Sequence, residues 1–223
     1  MSRILQVNIA VPEDSNAKNV GRTGINKQPV THPVAVRAPG PQGTLPPDQA
    51  SGLAGDQIFD IRNHGGDDQA VYAYAREDYE WWEKELGREL PGGLFGENLT
   101  TVDVEVGGAV LGEKWRVGET LVLETTFGRI PCATFQWKMQ EPRWVKRFAA
   151  ENRPGAYLRV VTPGDVQVGD SVTVLERPEH GVTIAESFRA WMHEPELLAK
   201  YLERDGVPER FKADIRRRLG RDG

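Results

Sequence analysis

A change of pattern at Arg177-Pro178 divides this chain into two kinds of sequence. From Arg3 to Glu176 it consists of short apolar stretches rich in β-branched residues, separated by Gly, Pro and Asp. The stretches Ile4 to Ile9, Val34 to Arg37, Gln57 to Ile61, Thr120 to Thr126, Tyr157 to Val161 and Ser171 to Leu175 read as strands. Closely spaced turns such as Val168-Gly169-Asp170 and Arg116-Val117-Gly118-Glu119 favour antiparallel pairing and a β-barrel over regular βαβ alternation. The expected fold is therefore mainly β, a barrel-like domain over residues 1–177 with a few interspersed helices.

Two helices interrupt the strands. In one, Tyr79, Trp82 and Leu86 fall on a single stripe, with Glu77 and Asp78 at the positive end of the helix dipole. The other runs from about Pro142 to Glu151, with Trp144 and Phe148 on its apolar face beside Arg143, Lys146 and Arg147. Both aromatic sets read as core rather than as base-stacking platforms. Residues 178–223 read as a small three-helix domain. Thr183 and Glu186 can form a capping box ahead of the stripe Ile184, Phe188, Trp191, Met192. Pro195 and Pro208 each suit a first helical turn. The second helix offers Leu197, Leu198, Tyr201 and Leu202, and the third Phe211, Ile215 and Leu219. Helices this short must pack on each other and on the sheet domain. Arg216 to Arg218 read as cations favourably placed at a helix C-terminus rather than as a nucleic acid patch. Val11 to Pro33, rich in Asn, Lys, Gly and Thr, and Ala38 to Gly55, rich in Pro and Gly, read as long loops.

A formal net charge of -5 argues against broad binding along a nucleic acid polymer but leaves room for an anionic ligand in a local basic pocket. The single cysteine cannot form an internal disulfide, and MSRILQVNIA lacks the features of a signal peptide, so a cytoplasmic location is expected. No apolar run approaches the ~20 residues needed to span a bilayer, so no membrane role is expected. No Walker loop or dinucleotide glycine fingerprint is present. The histidines, His32, His64, His180 and His193, lack the spacing of a protein-only zinc site.

Three clusters remain. Asn63-His64-Gly65-Gly66-Asp67-Asp68-Gln69 is a polar turn whose glycines either admit a ligand close to the backbone or simply make the turn. In Phe95-Gly96-Glu97-Asn98-Leu99-Thr100 a carboxylate and an amide either bind something or cap neighbouring backbone. In Arg129-Ile130-Pro131-Cys132 a guanidinium three residues before a thiol would favour the thiolate if both line one cleft; otherwise Cys132 is an inert core residue.

In order and rough spacing, Gly55-Asp56, HGGDDQAVYAY from His64 to Tyr74, FGENLT from Phe95 to Thr100, Arg129 to Cys132 and Gly155-Ala156-Tyr157-Leu158-Arg159-Val160 resemble the motifs of MOSC domains, named after the molybdenum cofactor sulfurase C-terminus. The resemblance covers roughly residues 20 to 176, and the helical tail is similar to that of YiiM-like members. It implies a β-barrel-like fold and a molybdenum cofactor whose metal is held by Cys132. Lys27 and His64 match family positions and, with Arg62 or Arg129, would hold the cofactor phosphate. Gly65, Gly66, Glu97 and Asn98 belong to the same expected pocket. His64 is also a candidate proton donor. One departure is that Gly55-Asp56-Gln57-Ile58-Phe59-Asp60 shifts the glutamine and lacks the alanine of the family's usual Gln-Ala-Asp continuation.

The implied activity is reduction of N-hydroxylated compounds such as 6-hydroxylaminopurine, a detoxification, with electrons from a separate reductase or carrier, since no redox domain is fused. A homodimer is compatible with this reading. Two alternatives stand beside it: a non-catalytic cofactor or sulfur carrier using Cys132, and a hydrolase using Cys132 and His64 as nucleophile and base.

Overall fold

A computed structural model describes residues 1–220; positions 221–223, the end of the tail expected over 178–223, lie outside the described residues. The strands are β1 (Arg3–Ala10), β2 (Glu13–Asp14), β3 (Arg22–Thr23), β4 (Lys27–Val30), β5 (Val34–Val36), β6 (Val71–Ala75), β7 (Leu99–Val102), β8 (Lys114–Val117), β9 (Leu121–Phe127), β10 (Ala156–Thr162), β11 (Gly164–Val166) and β12 (Val172–Glu176). The α-helices are α1 (Arg76–Leu86), α2 (Ala133–Met139), α3 (Trp144–Glu151), α4 (Ile184–Met192), α5 (Pro195–Leu202) and α6 (Glu209–Arg218).

Eight strands form one sheet in the order β12-β8-β9-β10-β6-β7-β1-β4, and β11-β5 and β2-β3 make two small ribbons. The fold is sheet-dominant as expected, but the ladder does not close into a barrel. The sheet has β12 and β4 as its edges, and its two ends approach each other through a single bridge between Arg3 and Ser171. Pairing is antiparallel except between β6 and β7, which run parallel. A parallel neighbour needs a crossover, and α1 supplies part of it. β6 (VYAYA) is buried along its whole length, as suits a central strand covered on both faces.

Two expected elements differ. Gln57 to Ile61 is not a strand: its Ile58 N–H bonds to Pro47 O, and Ile58 and Phe59 line a cleft instead of joining the sheet. The stretch Val11 to Pro33 is not a plain loop, because it holds the β2-β3 hairpin and then β4. Pro29 is tolerated in β4 because an edge strand can spare one N–H on its open side.

Two apolar clusters hold the fold. One fills the space between the sheet and the C-terminal helices, joining Leu123 and Leu158 to Ile184, Leu198, Phe211 and Ile215. The tail thus shares the sheet's core. The other is aromatic and packs α1, α2 and α3 under the loops: Trp82 stands 4.6 Å from Trp144 by ring centroid, and Phe95 5.3 Å from Phe135. The stripes expected over Tyr79 to Leu86 and over Trp144 to Phe148 bury Tyr79, Trp82, Trp144 and Phe148 in it. The capping box at Thr183 and Glu186 is complete, and Pro195 sits in the first turn of α5; Pro208 lies at the cap of α6, just before its first turn.

Candidate functional site around Cys132

β9 ends at Phe127, and four residues carry the chain to Cys132 at the start of α2. Cys132, the residue that precedes α2, is extended, with φ -131° and ψ 175°. Its thiol, half-buried, faces a cleft of about 100 Å³ that Lys27, His64, Arg129 and Tyr157 also line. Burial works against the thiolate. A hydrogen bond from His64, the charges of Arg129 and His64 and the Phe135 N–H outweigh it and lower the thiol pKa to about 6.

Arg129 is the principal cation beneath this cleft. It is 6% exposed, donates to the carbonyl of Phe95 and lies over the rings of Phe135 (4.4 Å) and Tyr72 (5.3 Å). Among the described residues no carboxylate comes within salt-bridge reach of it, and its Nε is buried with no hydrogen-bond partner. Burial opposes its charge, but Tyr157, Tyr72, Cys132 and Glu97 more than offset that, so the guanidinium stays protonated. A buried guanidinium without a carboxylate partner leaves positive charge beside the cleft, where it also favours the Cys132 thiolate.

Lys27 also lines the cleft, but its ammonium is held 2.5 and 2.6 Å from the two oxygens of Asp56. Asp56 further accepts from Ser51 Oγ (2.7 Å), Asn98 Nδ2 (2.9 Å) and the Ala10 N–H (2.8 Å). The motif Gly55-Asp56 therefore anchors Lys27, and β4 puts that lysine at the sheet edge. Across the cleft, Lys18 pairs with Asp60 at 2.5 Å and Arg22 lies over Phe59 at 5.2 Å. Lys18, Arg22, Lys27 and Arg129 face only Asp60 among the lining carboxylates, so the cleft is net positive in a net negative chain.

The other expected residues separate. His64 and Gly65 line the cleft; Gly66 and Glu97 do not, and Arg62 is exposed on the loop outside it. The glycine pair serves the chain's own packing. Gly65 and Gly66 have φ of +78° and +77°, and a Cβ there would come within 2.6 Å of Ala50 O and of Gln42 N respectively. Glu97 is fully buried, accepting from the Gly93 N–H (2.5 Å), Tyr79 (2.8 Å) and Thr100 (2.8 Å). Asn98 lines the cleft, yet its amide is committed to Asp56 and to the Tyr72 N–H (3.1 Å). Capping is what these two residues do. Gln69, the last residue of the first candidate cluster, also lines the cleft; sequence reasoning missed Lys18, Arg22, Asp60 and Thr134. Lys18 and Arg22 sit in a polar segment indistinguishable by composition from solvated loop.

A second, larger groove of about 870 Å³ adjoins the first, sharing His64, Gly65, Gln69 and Tyr157, and runs over β9 and β10 to α4 and α6. Among the described residues no three His, Cys, Asp or Glu side chains gather to hold a metal by themselves. No helix there is long and apolar enough to cross a membrane.

A thiol of lowered pKa facing a cationic cleft on a sheet-dominant fold marks the candidate site. The chain belongs to the MOSC domain family, whose model matches residues 60–173. It is 27% identical over 223 residues to the uncharacterized protein YflK of Bacillus subtilis, covering 98% of this chain and 95% of that one. It is 27% identical to protein YiiM of Escherichia coli over 65% of each chain. A Gibberella moniliformis protein named as a reductase is 32% identical over 58% of this chain but only 23% of its own length. The crystal structure of YiiM from Geobacillus stearothermophilus superposes with a TM-score of 0.74 at 25% identity, covering 98% of this chain and all of that one.

Proposed function

We propose that this protein is a cytoplasmic molybdenum-cofactor-dependent oxidoreductase that reduces N-hydroxylated compounds such as 6-hydroxylaminopurine. The observation that carries the reading is the Cys132 thiol, brought to a pKa of about 6 and facing a cleft with an unpaired buried guanidinium. The donor set fits the cofactor: one soft thiolate suits molybdenum, and the lone thiolate leaves the other metal ligands to an organic group. The cationic lining fits that group's phosphate.

When bound, the cofactor supplies two-electron oxygen-atom chemistry, so that an N-hydroxyl compound, two electrons and two protons give an amine and water. Cys132 would hold the metal. Arg129, with Lys27 steadied by Asp56, would hold the phosphate and fix the cofactor's orientation. His64, hydrogen-bonded to the thiol, keeps it deprotonated at neutral pH and is placed to deliver a proton. Electrons would come from a separate reductase or carrier protein; the relative named as a reductase is consistent with redox work.

The test is reduction of 6-hydroxylaminopurine by protein made in cells that synthesise the cofactor, with a reduced viologen dye as electron donor. Adenine should appear with wild type and not with Cys132→Ser. Bound metal without turnover would instead favour a carrier module.

A further inference from the structure

We propose that the C-terminal helices form the substrate-selecting wall of the Cys132 site, with Trp191 and Arg210 reading a flat, uncharged heteroaromatic ring. This deepens the proposed function and rests on it for the chemistry at Cys132. The family match ends at residue 173, yet the large groove beside the Cys132 cleft is closed on one side by Trp191 of α4 and Arg210 and Phe211 of α6. At about 870 Å³ it falls in the size range of small-molecule sites.

Charge distinguishes the two spaces. The first cleft is net positive, whereas carboxylates and guanidiniums line the groove in equal number, which favours a neutral polar occupant there. Part of the lining is aromatic: Phe127 lies 5.6 Å from Trp191 and 5.4 Å from Phe211 by ring centroid, and Arg218 covers one face of Trp191 at 4.5 Å. The rest of the lining is polar, with Asp68 holding both Arg159 and Arg210. Two of its atoms, Gln69 Oε1 and Arg159 Nε, are buried without hydrogen-bond partners. A buried acceptor and a buried donor left open on residues of one groove suit a ring whose edge presents both kinds of group. Gln69 lines both spaces, so a ring bound there would direct its substituent toward the thiol cleft.

Adenine is the probe, titrated calorimetrically into protein made with and without the cofactor. Turnover of 6-hydroxylaminopurine is compared with that of hydroxylamine, which is too small to need the wall. Trp191→Ala should weaken adenine binding and raise KM for 6-hydroxylaminopurine by about tenfold, the scale of one base-aromatic stack. Hydroxylamine turnover and molybdenum content should not change. Arg210→Ala, altering a side chain 60% exposed, should act in the same direction and decides the matter should Trp191→Ala fail to fold. Unchanged adenine binding in the variants would overturn the proposal while leaving the molybdenum reading intact. Loss of molybdenum in either variant would also overturn it, because the groove would then hold cofactor. Adenine binding sensitive to Trp191 in a protein that takes up no molybdenum would uphold the wall and remove the redox chemistry.

Discussion

Cys132 would be an inert core thiol if burial alone set its chemistry; His64 and Arg129 reverse that. Because the folded pKa is lowered to about 6 from an ordinary 9.0, the thiolate predominates above pH 6 and is lost as pH falls through that value. In cofactor-free protein the rate of alkylation by iodoacetamide should be flat from pH 7 to 9 and fall below pH 6. An ordinary cysteine would still be gaining reactivity across that upper range. His64→Ala should move the midpoint upward. Asp56 makes a second prediction. Lys27 is held beneath the cleft by that carboxylate alone, so Asp56→Ala leaves a buried ammonium unpaired and should cost about 3–5 kcal/mol in urea denaturation. Of the site, the residues with distinctive chemistry were legible: Cys132, Arg129, His64 and Lys27 all reach one cleft. Arg62 and Glu97 were not separable from them by motif alone, because a motif does not show which way a loop turns a side chain.

Among the elements, long stripes and complete caps were readable, as in α1, α3 and α4, since each stripe maps onto one buried face. α2 was not readable. Its seven residues place only Phe135 and Met139 in the core, too few to make a period. Gln57 to Ile61 misled for the opposite reason: its apolar residues serve a cleft wall, and a wall needs side chains on one side just as a strand does. The capping box offers a local test. Thr183→Ala removes an acceptor for the Glu186 N–H and should destabilise the protein by about 1 kcal/mol, with Thr183→Ser largely retaining the bond, both measured by denaturant midpoint.

At the scale of the whole molecule, the shared core matters more than the change of sequence pattern at Arg177. Phe211 and Ile215 pack in the same cluster as Leu123 and Leu158, so heat should unfold sheet and tail in one calorimetric transition; two separated transitions would contradict that coupling. Closure into a barrel was not legible. It depends on whether the sheet's edges meet, and strand patterns specify faces without specifying edges. The parallel β6-β7 pair was hidden for the same reason. What the arrangement achieves is to set a cationic thiol cleft beside a charge-balanced groove, with His64 and Tyr157 on the wall between them. Molybdenum and pterin content of protein purified from cofactor-producing cells tests the account most directly. The expected result is about one metal and one pterin per wild-type chain and none on correctly folded Cys132→Ser; equal contents in the two proteins, or no molybdenum in either, would contradict it.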